Sequence, residues 1–225
     1  MVRVKICGIS DSATAVVAAE AGADAIGLIF APSRRRVTAA QAREIAAALP
    51  PFVTKVGVFV DEERGRIEER IAACGLGAVQ LHGAEPPEFC VGFHVPVVKA
   101  IRVKDASSLE QMTAYQVDAF LLDTFDASAL GGTGRTFDWT LAIQAARTHR
   151  TILSGGMTPV NVVEALTRVV PYGVDVSSGV ETDGRKDHAK IRDFIRRVRE
   201  WDVENQYPRV ATTSPQGEAT PKASP

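Results

Sequence analysis

Gly22-Ala-Asp-Ala-Ile26 opens an apolar run that reaches Phe30, and diverged copies of this lead-in recur at Val117-Asp-Ala-Phe120 and Gly173-Val-Asp-Val176. A Gly-x-Asp-Ala-apolar step repeated before short runs of Val, Ile, Leu and Phe marks an internally repetitive chain. The same pattern along the chain predicts eight strands, at 2–6, 24–30, 52–60, 78–81, 97–103, 119–123, 151–153 and 173–176. Between them, apolar residues return at helical spacing over 12–21, 39–49, 62–73, 107–115, 139–147 and 159–167, and a last helix over 187–201 closes the series. Pro50-Pro51 stops one helix, and Thr158-Pro159 reads as an N-cap followed by proline at the first helical position. Strands that are apolar almost throughout, about 25 residues per unit, fit an α/β chain folded as a single-domain, closed (β/α)8 TIM barrel spanning residues 1–202. An open doubly wound sheet is the alternative. It usually carries a dinucleotide turn, and here Gly132-Thr-Gly134 has no third glycine three residues on. Residues 203–225, with Pro208, Pro215, Pro221 and Pro225 among Ser, Thr, Gln and Gly, are expected to form a disordered tail, and everything beyond Trp201 to be dispensable.

Composition narrows the function. The 225 residues carry 26 Lys+Arg against 27 Asp+Glu, a formal charge of −1, which lacks the basic excess of nucleic-acid binders. No apolar run approaches the roughly 18 to 20 residues of a membrane span, and Met1 to Gly8 holds no signal-peptide core. The expectation is a soluble cytoplasmic protein with no nucleic-acid or membrane partner. Cys7, Cys74 and Cys90 cannot all pair within one chain, and no Cys-x-x-Cys or His-Glu-x-x-His spacing offers a zinc site, so reduced thiols and no metal are expected.

In a barrel the chemistry sits where strands end. Those ends supply Cys7, Arg36, His82 and Asp123, then Ser154-Gly155-Gly156 and Ser177-Ser178-Gly179. A free cysteine is more often a small buried hydrophobe than a reagent. At a strand-to-loop edge with Lys5 nearby, however, Cys7 could be partly exposed and ionised, as a base or nucleophile requires. Cys74 and Cys90 lie in helical stretches and keep the bland reading. Arg34-Arg35-Arg36 is either a solvated charge run or a clamp for an anion, since a guanidinium fork matches a carboxylate. His82 fits equally a residue that satisfies a backbone carbonyl and one that faces a substrate. His149 and His188 look like surface residues. Asp123, after Phe120-Leu-Leu122, must be paired, hydrogen-bonded or exposed at the barrel mouth, and exposure would permit acid chemistry; Asp126 competes for that role. The two glycine loops after the final strands offer backbone N–H groups at the usual barrel phosphate position. Gly131-Gly-Thr-Gly134 is either a lid or a plain linker.

Lys5-Ile-Cys-Gly8, Val56-Gly-Val-Phe59, Val79-Gln-Leu-His-Gly83, Leu121-Leu-Asp123, Gly131-Gly-Thr-Gly134, Phe137-Asp-Trp139, Leu153-Ser-Gly-Gly156 and Val174-Asp-Val-Ser-Ser-Gly-Val-Glu181 together resemble, in order and spacing, the phosphoribosylanthranilate isomerases of tryptophan biosynthesis. The resemblance runs from Val2 to about Arg199; it departs at 125–130 and beyond Trp201. It implies an isomerase that needs no cofactor and takes a small phosphosugar carrying anthranilate. By the family pattern Asp123 is the acid, Cys7 the base, and Arg36 the carboxylate holder, while the two glycine loops grip phosphate and His82 and Asp175 line the site. It leaves oligomeric state open. Three other readings remain. A Schiff-base lyase would use Lys55 or Lys99. A non-catalytic phosphate-binding module would keep the glycines without needing Cys7 and Asp123 together. A related dual-specificity isomerase, which also acts on the histidine-pathway aminoimidazole substrate, normally pairs two aspartates, and Cys7 argues against it.

Overall fold

A computed structural model describes residues 1–124 and 138–206. Eight parallel strands, β1 (Arg3–Cys7), β2 (Ala25–Ile29), β3 (Thr54–Phe59), β4 (Ala78–Leu81), β5 (Val97–Val103), β6 (Ala119–Thr124), β7 (Thr151–Leu153) and β8 (Gly173–Val176), close in chain order into a barrel. β8 returns to β1 with Val4 opposite Val174 and Lys5 opposite Asp175. Four expected strands keep their bounds and the others move by one or two residues at an end. Helices α1 (Ser12–Glu20), α2 (Ala39–Ala48), α3 (Arg64–Cys74), α4 (Ser107–Glu110), α5 (Thr140–Thr148), α6 (Val162–Val169) and α7 (His188–Gln206) follow their strands.

The side-chain period of two divides each strand between two cores. Val4 and Ile6, Ile26 and Leu28, Val79 and Leu81, Phe120 and Leu122, and Val174 and Val176 pack outward beneath the helices. The alternate set points into the barrel. It includes Lys5, Cys7, Gln80, Asp123 and Asp175, all buried. An inner layer this polar demands partners, and those partners make the site.

The helices depart from expectation at several points. The 107–115 helix is a single turn, α4, continued by a 3₁₀ turn at Gln111–Ala114 whose one buried residue is Met112. Between β4 and β5 there is only a 3₁₀ turn, Pro87–Phe89, led in by Pro86; Cys90 caps that turn and is not helical. Thr158 does act as a cap, since Asn161 N donates to its hydroxyl and Thr158 N to Asn161 Oδ1, but regular helix begins only at Val162. A hairpin went unforeseen: β9 (Glu181–Thr182) pairs antiparallel with β10 (Arg185–Lys186) across Asp183 and Gly184. Both turn residues have positive φ, 50° and 78°, the type I′ geometry that Asp-Gly favours.

The closing helix also runs further than expected. α7 extends to Gln206, and Asp202 is buried, accepting a bond from Val2 N at 2.8 Å and facing Arg199 at 3.3 Å. The chain just beyond Trp201 is therefore part of the barrel's closure. Residues 207–225, Asp126 and the Gly131–Gly134 loop lie outside the described residues.

Candidate active site

Cys7 ends β1 because Gly8 turns the chain at φ 75°, which lets Gly8 N and Ile9 N both donate to Gly27 O. Gly27 faces Cys7 across the β1–β2 ladder, and a Cβ there would stand 2.7 Å from Cys7 Sγ. The glycine makes the room the thiol occupies. Ser177 Oγ donates to Cys7 O at 3.2 Å and ties the first strand end to the last.

The expectation of a partly exposed, ionised thiol needs correction. Cys7 is only 6% exposed, and burial pushes its thiol up; Lys5 pulls it back, Asp175 pushes it further up and Lys186 pulls it down. Lys5 Nζ lies 2.8 Å from Asp175 Oδ1, and Asp175 Oδ2 accepts from Ser154 Oγ at 3.2 Å. Both oxygens of Asp175 are thus engaged beneath the mouth.

Asp123 is also buried rather than exposed. Its Oδ1 accepts from Thr124 N at 2.9 Å, and its Oδ2 lies 3.2 Å from His82 Nε2 without the geometry of a hydrogen bond. His82 does not use its ring to satisfy a backbone carbonyl. Gln80 Nε2 stands 2.7 Å from His82 Nδ1, and an amide nitrogen can only donate. With the amide so oriented, Nδ1 accepts and the ring proton sits on Nε2, the nitrogen nearer Asp123.

A cavity of about 410 Å³ opens at this end, lined by Cys7, Gln80, His82, Asp175, Ser177 and the stretch from Ala31 to Arg35. Asp123 sits just behind its wall, reached through His82. At the opposite end of the barrel a second cavity of about 400 Å³ is lined by Arg3, Phe52 and Tyr172 among others, and neither Cys7 nor Asp123 lines it.

The arginine triplet divides. Arg34 and Arg35 both bind Glu181, Arg35 through two donors at 2.6 and 2.9 Å, and Lys186 adds a third cation at 3.1 Å. Glu181 is held below the usual carboxylate range: burial raises it, but Arg35 and Lys186 outweigh that. Burial pulls the Lys186 ammonium down against Glu181. Arg36 has no ionic partner among the described residues. It is exposed in a separate depression with Phe30, Phe59 and Glu62 and, unlike Arg34 and Arg35, does not line the mouth cavity; its backbone bridges to Ile29 at the end of β2.

The two glycine loops abut. Gly155 and Gly156 have φ 78° and 65°, and their N–H groups make no hydrogen bond among the described residues. A Cβ at Gly179 would collide with Met157 O. A Cβ at Gly155 would strike the Thr124 hydroxyl and lie 2.8 Å from Asp123 Oδ1, so this glycine serves the acid's seat as well as any anion. Ser178 opens the 3₁₀ turn Ser178–Val180 that follows Ser177.

Lys55 and Lys99, the alternative Schiff-base lysines, do not line the mouth. Lys99 is bound to Glu85 Oε2 and Gly83 O, both at 2.8 Å, outside the barrel's inner layer. Among the described residues no group of three or more His, Cys, Asp or Glu is placed to hold a metal.

A family model described as N-(5'phosphoribosyl)anthranilate (PRA) isomerase matches residues 4–197. The chain belongs to the phosphoribosylanthranilate isomerase family. An N-(5'-phosphoribosyl)anthranilate isomerase of Pelobacter propionicus is 53% identical over 202 residues, spanning 89% of this chain and 97% of that protein. The phosphoribosyl anthranilate isomerase of Thermotoga maritima superimposes with a TM-score of 0.83 at 44% identity, over 89% of this chain and all of that one. A family structure in complex with reduced 1-(o-carboxyphenylamino)-1-deoxyribulose 5-phosphate matches at a TM-score of 0.80 and 42% identity, again over 89% of this chain and 100% of that chain.

Proposed function

We infer that this isomerase converts N-(5-phospho-β-D-ribosyl)anthranilate to 1-(2-carboxyphenylamino)-1-deoxyribulose 5-phosphate, the Amadori step of tryptophan biosynthesis, with Asp123 as acid and Cys7 as base. The observation that carries the assignment is that β1 and β6, separated around one closed barrel by β7 and β8, place a thiol and a carboxyl at the same end. Asp123 gives a proton to the ribose ring oxygen, the C1–O bond breaks, and the anilino nitrogen's lone pair forms the Schiff base. Cys7, as the thiolate, then takes the C2 proton; the C2–H electron pair forms the C1=C2 double bond as the C=N π pair returns to nitrogen, giving the enol-amine, which tautomerises to the ketone. His82 Nε2, 3.2 Å from Asp123 Oδ2, lies beside the carboxylate left after donation, so it acts where charge develops.

The relative crystallised with the reduced product analogue supports a substrate with an anthranilate end and a phosphate end. We assign the phosphate to the backbone of Ser154-Gly155-Gly156 and Ser177-Ser178-Gly179, because the Gly155 and Gly156 N–H groups have no partner among the described residues. Arg36 takes the anthranilate carboxylate, since Glu181 already occupies Arg34 and Arg35. Holding both ends makes the opened chain an intramolecular partner of Cys7. No helix among the described residues is long and apolar enough to cross a membrane, and we place the enzyme in the cytoplasm with its pathway.

Freshly prepared phosphoribosylanthranilate tests the reading, because substrate and product differ in fluorescence. Addition of the protein should make the anthranilate fluorescence decay while heat-killed protein leaves it stable. Equal traces would refute the function.

A further inference from the structure

Beneath the thiol lies a buried cation to which the acid–base steps assign no role. Lys5 and Cys7 are two apart on β1 and share its inward face. The point where a Gly27 Cβ would stand is 2.7 Å from Cys7 Sγ and 3.2 Å from Lys5 Cε, so the two side chains flank one small space. Strand register sets Asp175 opposite Lys5, and the resulting ion pair is 7% and 5% exposed. Such a pair is a poor way to stabilise a fold, because desolvation offsets most of the attraction and apolar side chains of similar volume do as well. Its position under the nucleophilic sulfur gives it a purpose that packing does not.

We propose that Lys5, fixed by Asp175, is a positioning residue for charge: its ammonium stabilises the Cys7 thiolate that accepts the substrate's C2 proton, without touching the substrate. The proposal rests on Cys7 being the base. Lys5 keeps its charge: burial pulls its pKa down, but Asp175 and Cys7 outweigh burial and the net shift is up. The groups around the thiol are Lys5 on its own strand, Asp175 on β8 and Lys186 on β10, with Arg35 and His82 lining the same cavity. Lys186 is the weaker source, since burial pulls it down and Glu181 and Ser177 O already engage it. Arg35 is spent on Glu181. Removing the Lys5 charge would both withdraw a cation from Cys7 and leave the Asp175 carboxylate uncompensated, two effects of one sign.

The test is the pH dependence of Cys7 alkylation by iodoacetamide in the full-length protein, read on the Cys7 peptide by mass so that Cys74 and Cys90 do not interfere. Lys5→Met should move the midpoint up by at least one unit, which is about a tenfold loss of alkylation rate near pH 7, with the high-pH plateau retained. The kcat lost at neutral pH should recover as pH rises, which a purely structural defect would not do. Lys5→Gln keeps a donor for Asp175 and should show the same upward shift; it carries the test if Lys5→Met does not fold. An unmoved midpoint in a folded Lys5 variant would overturn the proposal. Normal turnover by Cys7→Ala would instead overturn Cys7 as the base, leaving the measured effect of Lys5 on the thiol to stand by itself.

Discussion

Arg36 shows how a residue's neighbours decide its role. Three consecutive arginines look interchangeable in sequence, yet Glu181 takes Arg34 and Arg35 and leaves one guanidinium without an ionic partner among the described residues. Arg36→Ala should therefore raise KM with little change in kcat, the sign of lost uniform binding. Arg34→Ala should stay within a few-fold of the parent in both constants; a larger KM defect in Arg34→Ala than in Arg36→Ala would show that the loop register is wrong. Cys7, His82 and Asp123 were legible as candidates from their places at strand ends, whereas Asp175, inside β8, was named only by the family resemblance. Their surroundings were not, because burial and pairing depend on strands far apart in sequence. Asp123 reads as a mouth residue but is walled in by His82 and Thr124. Lys5 draws notice only as a neighbour of Cys7, since its partner lies 170 residues away.

At the scale of elements, the buried strands were read closely because an apolar run of four to seven residues carries its own boundaries. The connections were harder. A proline pair in place of a helix before β5 and the hairpin after β8 depend on local turn chemistry; Asp183-Gly184 signals that hairpin to anyone who looks for a two-residue turn. The hairpin matters because it carries Glu181 and Lys186, which tie the loop after β2 to the end of β8. The β7 loop supplies a sharper test. Gly155→Val would meet Thr124 and Asp123 in addition to blocking backbone approach, so it should lower kcat as well as weaken competitive inhibition by inorganic phosphate. Unchanged phosphate inhibition in a folded Gly155→Val variant would remove this loop from the anion site.

Across the whole molecule, the barrel is closed by α7. Arg199 reaches Val2 O, Gly22 O and Asp24, while Asp202 receives Val2 N, so the last helix pins the first strand. Burial raises the Asp24 carboxyl, but bonds from Arg199, Val4 N and Arg3 outweigh it and hold it below its usual value. A depressed carboxyl stabilises the fold above the unfolded value of about 3.9, and that stability is lost as pH falls through the lower folded value. Asp24→Asn should therefore melt a few degrees below the parent at pH 7, with the gap closing in acid; a gap independent of pH would point to packing instead. Truncation after Gln206 should leave turnover and melting temperature unchanged, whereas truncation after Trp201 removes Asp202 and should lower the melting temperature. Equal melting of the two truncated proteins would show that Asp202 does not pin β1. The central claim is that one barrel mouth works through two groups on different strands, β1 and β6, and kcat measured for Cys7→Ala and Asp123→Asn in the fluorescence assay tests it most directly. Each variant should lose about 10²- to 10⁴-fold in kcat with KM little changed, and Asp126→Asn should stay within several-fold of the parent. Near-normal kcat in either Cys7→Ala or Asp123→Asn would contradict it.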